Sequence, residues 1–134
     1  MRRARTTALI VDDDALIAEM LKTVLAMSGF EPRIASNGLE ALQAIESGPR
    51  PSVVILDLSM PVMDGLEFLA YRARVPDLRG IPVIVVSARA DEVPPPEVGV
   101  PVLPKPFDTD ALLYAVETAC GTPFDELDGE SFYD

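Results

Sequence analysis

The sequence contains no histidine and only one cysteine. The absence of histidine removes the commonest general base and the commonest zinc ligand from the chemistry available to the chain. The single cysteine, Cys120, cannot form a disulfide within the chain, which is typical of proteins kept in a reducing compartment. We therefore expect a cytoplasmic protein whose chemistry depends on other side chains.

Basic residues and long apolar runs are also scarce. Lys and Arg number 11 against 22 Asp and Glu, which gives a formal net charge of −11. Because binding to a phosphate backbone needs clustered Lys and Arg, we expect no nucleic-acid partner. The apolar run Ala8–Val11 ends at Asp12, far short of a signal-peptide core, and no stretch approaches the length of a membrane span. We therefore expect no association with a membrane.

The chain does contain short apolar runs rich in β-branched residues. A length of 134 residues with 49% hydrophobic residues is typical of one globular domain with a core of its own. Unbroken apolar runs of this length predict strands of a parallel sheet, which are buried on both faces. The predicted strands are Ala8–Val11, Arg33–Ala35, Val53–Leu58, Ile81–Val86 and Val100–Leu103.

Helical periodicity separates these runs. Strand–helix alternation predicts an α/β fold, a doubly wound parallel sheet with helices on both faces. We interpret Asn37 and either Asp108 or Thr109 as residues that cap helices at their N-termini. Asp14 is interpreted as a helix cap or an acidic residue of the first turn, and not as a metal ligand. The predicted buried faces are Leu16, Met20, Val24 and Met27, widened by Ile17, Leu21 and Leu25, in the first helix; Leu39, Leu42 and Ile45 in the second; Leu66, Leu69 and Ala73 in the third; and Leu112, Val116 and Ala119, beside Leu113 and Cys120, in the last.

A fourth helix is expected between Ser87 and Val100, but this segment contains Pro94-Pro95-Pro96. Each proline disfavours the helical conformation of the residue before it, so we predict that this helix is degenerate or missing, with at most about one turn. After Gly121 the sequence has five acidic residues and no basic ones. The predicted organisation is an N-terminal tail at residues 1–6, one domain at residues 7–120 and a loosely ordered acidic tail at residues 121–134.

Polar residues follow the predicted strands at their carboxyl ends, where functional groups collect in an open parallel sheet. These residues are Asp12, Asp13 and Asp14 after the first strand, Asp57 and Ser59 at the third, Ser87 at the fourth and Lys105 after the fifth. Several carboxylates held close together repel one another, and a hard divalent cation such as Mg²⁺ relieves that repulsion. The pattern therefore predicts a magnesium site at this edge of the sheet.

Asp57 is the candidate nucleophile because it ends an apolar strand that fixes its backbone and limits its solvation. An aspartate beside a metal ion can attack phosphorus and form an acyl phosphate. Lys105 would then bind the phosphoryl oxygens by charge, and Ser87 by a hydrogen bond.

Four segments of the chain resemble the defining segments of bacterial response regulator receiver domains. They are Ile10-Val11-Asp12-Asp13, Leu56 to Pro61 with Met63-Asp64-Gly65, Val85-Val86-Ser87-Ala88 and Lys105-Pro106-Phe107, and they occur in the family's order. The resemblance implies a flavodoxin-like fold with five strands in the order 2-1-3-4-5 and a cis peptide bond between Lys105 and Pro106.

The resemblance also implies a function and its residues. Asp57 would be the phosphoacceptor, taking its phosphoryl group from a phosphohistidine of a histidine kinase or a phosphotransfer protein. Mg²⁺ would be held by Asp12, Asp13, Asp57 and the backbone carbonyl of Ser59. The chain would then be a signalling domain rather than an enzyme, acting through an unknown downstream protein.

Two departures from the family pattern leave a second interpretation open. The interval from Ser87 to Lys105 is a few residues shorter than usual and contains the triple proline, and Val102 occupies a position that usually carries an aromatic ring. Both changes fall on the face that ordinarily carries the output. The alternative is a degenerate receiver that serves only as a protein-interaction module.

A third interpretation is a phosphatase similar to the haloacid dehalogenases, which also use an aspartate nucleophile and Mg²⁺ on a parallel sheet. That family needs a second aspartate two residues after the nucleophile, and Ser59 occupies this position here.

Overall fold

The computed structural model describes residues 6–88 and 100–120. Its strands are β1 Thr7–Val11, β2 Glu31–Ala35, β3 Val53–Asp57, β4 Val83–Ser87 and β5 Val102–Pro104. They form one parallel sheet in the order β2-β1-β3-β4-β5, which confirms the predicted flavodoxin-like topology. All five predicted strands are present, and each of their bounds lies within two residues of the prediction.

The three central strands are buried along their whole length. Ile10 of β1 lies beside Ile55 of β3, and Ile55 lies beside Ile84 of β4. These isoleucines point into one core cluster. The residues that follow them in each strand, Val11, Leu56 and Val85, point into a second cluster on the other face. The unbroken apolar runs of the sequence are thus explained by burial on both sides of the sheet.

The helices are α1 Ala15–Met27, α2 Gly38–Ser47, α3 Gly65–Arg74, α4 Pro76–Arg79 and α5 Thr109–Cys120. Helices α2, α3 and α4 cover one face of the sheet, and α1 and α5 cover the other. The short helix α4 was not predicted, although Pro76 at its first position and Gly80 just after its end are typical boundary signals.

The predicted helix caps are confirmed. The carboxylate of Asp14 accepts hydrogen bonds from the amides of Leu16 and Ile17 at 3.0 and 3.2 Å. The side chain of Asn37 accepts one from the amide of Glu40 at 2.8 Å. Helix α5 begins at Thr109, so Asp108 rather than Thr109 flanks it. Each cap satisfies an amide that the helix itself leaves without an acceptor.

The predicted buried face of α1 is correct for Leu21 and Leu25 and wrong for three of its other residues. Leu16 and Met27 are 84% and 83% exposed, and Met20 is also exposed, whereas Ala18, Leu21 and Leu25 are buried. Apolar residues occupy most of the circumference of α1, so periodicity alone does not single out the stripe that meets the sheet. Leu16, Met20 and Met27 therefore form an exposed apolar stripe on the surface of α1.

Two other helices differ from the prediction in smaller ways. In α2, Leu39 is exposed and Ala41 is buried, while Leu42 and Ile45 pack against the core as predicted. In α3, Leu66 and Ala73 are exposed, and Phe68 joins Leu69 in the core. In α5, Leu112 and Val116 are buried as predicted.

The predictions for the triple-proline segment and for the acidic tail lie outside the described residues. Among the helices that the structure does describe, none has both the length and the apolar character needed to cross a membrane.

Candidate functional site

Four strands deliver polar side chains to one edge of the sheet. Asp12 follows β1, Asp57 and Ser87 are the last residues of β3 and β4, and Lys105 comes directly after β5. Parallel strands end at the same edge, so residues far apart in sequence become neighbours. Every residue chosen from the strand ends lies at this rim.

Three carboxylates form a compact cluster there. Asp12, Asp13 and Asp57 each present an oxygen, and these oxygens lie within 4.8 Å of one another. Asp12 and Asp57 are only 2% and 5% exposed, whereas Asp13 is open to solvent. Carboxylate oxygens at this spacing are the donor set that a hard divalent cation prefers, so the cluster could hold one metal ion.

Lys105 supplies the positive charge of the cluster. Its Nζ lies 2.9 Å from Oδ2 of Asp12 and 3.5 Å from Oδ1 of Asp57. The backbone amide of Lys105 donates to the carbonyl of Ser87 at 2.8 Å, which holds the start of the following loop against the end of β4. The peptide bond between Lys105 and Pro106 is cis, which confirms the prediction.

The surroundings raise the pKa of the Asp57 carboxyl above its ordinary value. Burial is the largest cause, and the charge of Asp12 adds to it. The ammonium of Lys105 and the amide of Ser59, which lies 3.4 Å from Oδ1 of Asp57, oppose the rise without cancelling it. Asp57 is thus a poorly solvated carboxylate beside a second negative charge, an environment that a cation would relieve.

The pKa of Lys105 is raised. Burial lowers it, but the hydrogen bond to Asp12 and the charges of Asp12 and Asp57 together outweigh that effect. The ammonium therefore remains protonated at neutral pH and available to an incoming anion.

Asp14 is separated from the cluster by its role as a cap. Its carboxylate binds the first turn of α1, as described above, and its amide donates to Oδ1 of Asp12 at 2.9 Å. The amide of Asp14 thereby fixes the orientation of the Asp12 carboxylate. This position confirms the interpretation of Asp14 as a cap.

The loop between β3 and α3 holds the Asp57 end of the site in place. Asp64 and Glu67 form a capping box in which each side chain accepts from the other's backbone amide at 2.9 Å. Sequence analysis missed this pair, although an acidic cap with Glu three residues later is its signature. A side chain at Gly65 would bring a Cβ within 2.5 Å of the Asp57 carbonyl, so only glycine lets α3 start this close to β3.

The same loop is tied to the start of α2. The amide of Gly38 donates to the carbonyl of Met63 at 2.9 Å, and a Cβ on Gly38 would lie 2.7 Å from Cγ of Met63. Met60 and Met63 pack against the core. Val62, between them, has a backbone φ of 70°, which is strained for a β-branched residue.

Comparison with known proteins identifies the family. A family model described as "Response regulator receiver domain" matches residues 8–117. The response regulator MprA of Mycobacterium avium is 35% identical over 128 residues, which cover 92% of this chain and 54% of MprA. A transcriptional regulatory protein of Haemophilus influenzae, a CpxR homolog, is 35% identical over 113 residues, which cover 81% of this chain and 48% of that protein. The chain spans about half the length of these relatives.

Solved structures agree with this result. A response regulator receiver protein from Pseudomonas putida superposes with a TM-score of 0.78 and 29% identity, covering 87% of this chain and 99% of that one. The chemotaxis response regulator CheY4 of Vibrio cholerae superposes with a TM-score of 0.76 and 29% identity, with the same coverage. From the matched family model, the topology and the acidic rim, we conclude that the chain belongs to the response regulator receiver domains, which are signalling modules rather than conventional enzymes.

Proposed function

We propose that Asp57 accepts a phosphoryl group from a phosphohistidine of a histidine kinase or a histidine phosphotransfer protein. The phosphorylated domain then binds a downstream protein differently. The observation that carries this proposal is the position of one buried carboxylate, Asp57, within 3.5 Å of the Lys105 ammonium and within reach of two further carboxylates. Nucleophile, counter-charge and candidate metal ligands occupy one rim.

The chemistry follows from these groups. A carboxylate oxygen of Asp57 forms a bond to phosphorus while the phosphorus–nitrogen bond of the phosphohistidine breaks, and the imidazole leaves with the electron pair. Lys105 stabilises the charge on the phosphoryl oxygens, and the hydroxyl of Ser87 donates a hydrogen bond to one of them.

We further propose that the acidic cluster holds Mg²⁺. Asp12, Asp13, Asp57 and the backbone carbonyl of Ser59 would be its ligands, an all-oxygen set that suits this ion. When bound, Mg²⁺ supplies a positive charge that offsets the repulsion between the carboxylates and the phosphoryl oxygens.

The domain that carries this function is proposed to span residues 7–120, which includes the matched residues 8–117. The phosphatase alternative has no comparable support, because Ser59 occupies the position where that mechanism needs a second aspartate.

The phosphodonor is proposed to dock against the first turns of α1. Leu16 is 84% exposed and lies three residues from Asp13, and Met20 follows on the same side of the helix. Exposed apolar side chains beside a charged rim are typical of a protein-binding surface. A protein donor must approach Asp57 over this rim, so the exposed end of α1 is well placed to contact it.

Phosphorylation by a small donor tests the central proposal. Incubation with acetyl phosphate and Mg²⁺ should add one phosphoryl group, and hydroxylamine should remove it, because acyl phosphates react with hydroxylamine. Asp57→Asn or chelation of the metal should abolish labelling. Glu46→Gln, which removes an exposed carboxylate of α2, should leave labelling unchanged. Labelling of Asp57→Asn at the wild-type rate would refute the proposal.

Switching is tested separately from phosphorylation. Beryllofluoride, a stable mimic of the phosphoryl group, should shift amide resonances beyond the Asp57 pocket as far as β5. Shifts confined to the pocket would instead favour the degenerate receiver, which is charged by phosphorylation but does not change its output face.

A further inference from the structure

A second surface lies at the opposite edge of the sheet from Asp57. A cleft of about 320 Å³ separates the end of α2 from the junction of α3 and α4. Its apolar lining consists of Leu42, Ile45, Tyr71, Val75 and Leu78. These residues come from the last turns of α2 and α3 and from α4, just before the chain enters β3 and β4 at their amino ends. The cleft is therefore remote from the phosphoacceptor rim.

The segments that form this cleft are rich in arginine, although the chain as a whole is strongly acidic. The lining itself includes Arg50, Glu46 and Asp77. The two segments that supply the lining, residues 42–50 and 71–80, also carry Arg72, Arg74 and Arg79. Taken together, the two segments hold four arginines against two carboxylates, a local excess of positive charge in a chain of net charge −11.

The contacts of these arginines leave much of their charge available. Arg50 donates to the carbonyl of Asp77 at 2.6 Å, and Arg72 donates to the carbonyls of Ile81 and Arg79 at 2.8 to 3.1 Å. Neutral carbonyls satisfy the hydrogen-bond donors without cancelling the charge. The guanidinium of Arg33 lies beside Gly48, at the same end of the cleft.

We propose that residues 121–134 of the same chain dock in this cleft. This segment contains five acidic residues and no basic ones, together with Phe124, Leu127, Phe132 and Tyr133. Its apolar side chains match the apolar lining, and its carboxylates match the arginines at the rim. Both halves of the match are needed, because exposed ion pairs alone contribute little to binding.

The position of α5 makes this docking possible. Helix α5 follows β5 and runs antiparallel to the strands, so its last residue, Cys120, lies at the amino edge of the sheet, the edge at which the cleft opens. A segment of 14 residues can span about 45 Å when extended. The path from the α5 layer to the α2 layer passes three layers, helix, sheet and helix. It requires about 30 Å, because each layer is about 10 Å thick.

A tryptophan probe in the full chain tests the proposal, since the natural sequence contains no tryptophan. In Phe132→Trp, docking should lower the acrylamide quenching constant about twofold relative to the free peptide of residues 121–134 with the same substitution, because a docked ring is shielded on one side. Salt at 1 M, where the Debye length is about 3 Å, should reverse most of this protection.

Charge reversal identifies the surface. Arg50→Glu and Arg74→Glu, each made in the Phe132→Trp background, should raise quenching toward the free-peptide value. Lys22→Glu is the matched control, since it makes the same charge change on α1, on the other side of the sheet, and should have no effect. Circular dichroism of each variant verifies that it is folded.

Three results would overturn the proposal. They are quenching equal to that of the free peptide at low salt, protection that neither arginine variant reduces, and protection that grows with protein concentration. The last would place the segment on a second copy of the chain. Labelling by acetyl phosphate occurs at the other edge of the sheet and is independent of all three.

Discussion

The ammonium of Lys105 lies 2.9 Å from Oδ2 of Asp12, although 93 positions separate the two residues in the chain. The side chains are 14% and 1% exposed, so the pair is largely shielded from water. Asp57, at 3.5 Å from the same ammonium, shares this counter-charge. Lys105 therefore stabilises two buried carboxylates that would otherwise repel each other.

Replacement of Lys105 by methionine should be costly for stability. Without a divalent cation, Lys105→Met should lower the free energy of unfolding by about 2 to 3 kcal/mol, because a buried charge is left without its partner. Lys22→Met, on the exposed side of α1, should change it by no more than about 0.5 kcal/mol. Urea unfolding in EDTA measures both. Saturating Mg²⁺ should reduce the loss, and equal effects of the two substitutions would contradict this role.

Leu16→Glu should impair phosphotransfer from a protein donor without affecting a small one. Loss of the apolar contact should reduce kcat/KM about tenfold with any autophosphorylated histidine kinase that labels the wild type. Labelling by acetyl phosphate should be unchanged, since Leu16 is not among the residues at the rim. Met27→Glu is the control, because Met27 is equally exposed but lies about 16 Å further along the same helix. Equal losses for both variants would argue against docking at the first turns of α1.

Val62→Asn should stabilise the domain by about 0.5 to 1 kcal/mol, because asparagine tolerates a positive φ better than a β-branched residue does. Val62 is 74% exposed with a φ of 70°, so little packing is lost. Val62→Thr makes a similar gain in polarity but keeps the branch, and it should bring no such increase. Thermal or urea unfolding of the three proteins gives the comparison.

Cys120 should make stability fall at alkaline pH. Burial, with a contribution from the charge of Glu117, raises the pKa of its thiol from 9.0 to about 11. The folded state thus holds the proton more tightly than the unfolded state, and this contribution is complete below about pH 9 and is lost as the pH rises to about 11. Between these pH values the free energy of unfolding of the wild type should therefore fall relative to that of Cys120→Ala. A difference that is constant with pH would exclude this effect.

The sheet and the site were predictable for the same reason. Asp12, Asp57 and Ser87 each terminate an apolar run, and the order of parallel strands brings such ends to one edge. The residue types at those ends then limit the chemistry to carboxylates, a hydroxyl and an ammonium. None of this depends on knowing how the helices are rotated about their axes.

The rotation of helix α1 was not predictable from periodicity. Leu16 and Met20 are as apolar as Leu21 and Leu25, yet only the second pair is buried. The sheet selects one of two apolar stripes, and this selection depends on packing that local sequence does not encode. The strain at Val62 was hidden for a similar reason, because the sequence gives no sign of its φ.

The contact between Gly38 and Met63 makes the two loops beside the site a single mechanical unit. The hydrogen bond and the close approach of Gly38 to Cγ of Met63 leave no room for one loop to change its course alone. A graft of the loop between β3 and α3 from another member of the family would therefore have to bring its own partner for position 38. Chimeras that exchange only one of the two loops should lose the fit between positions 38 and 63, even where the acidic cluster itself is copied without change.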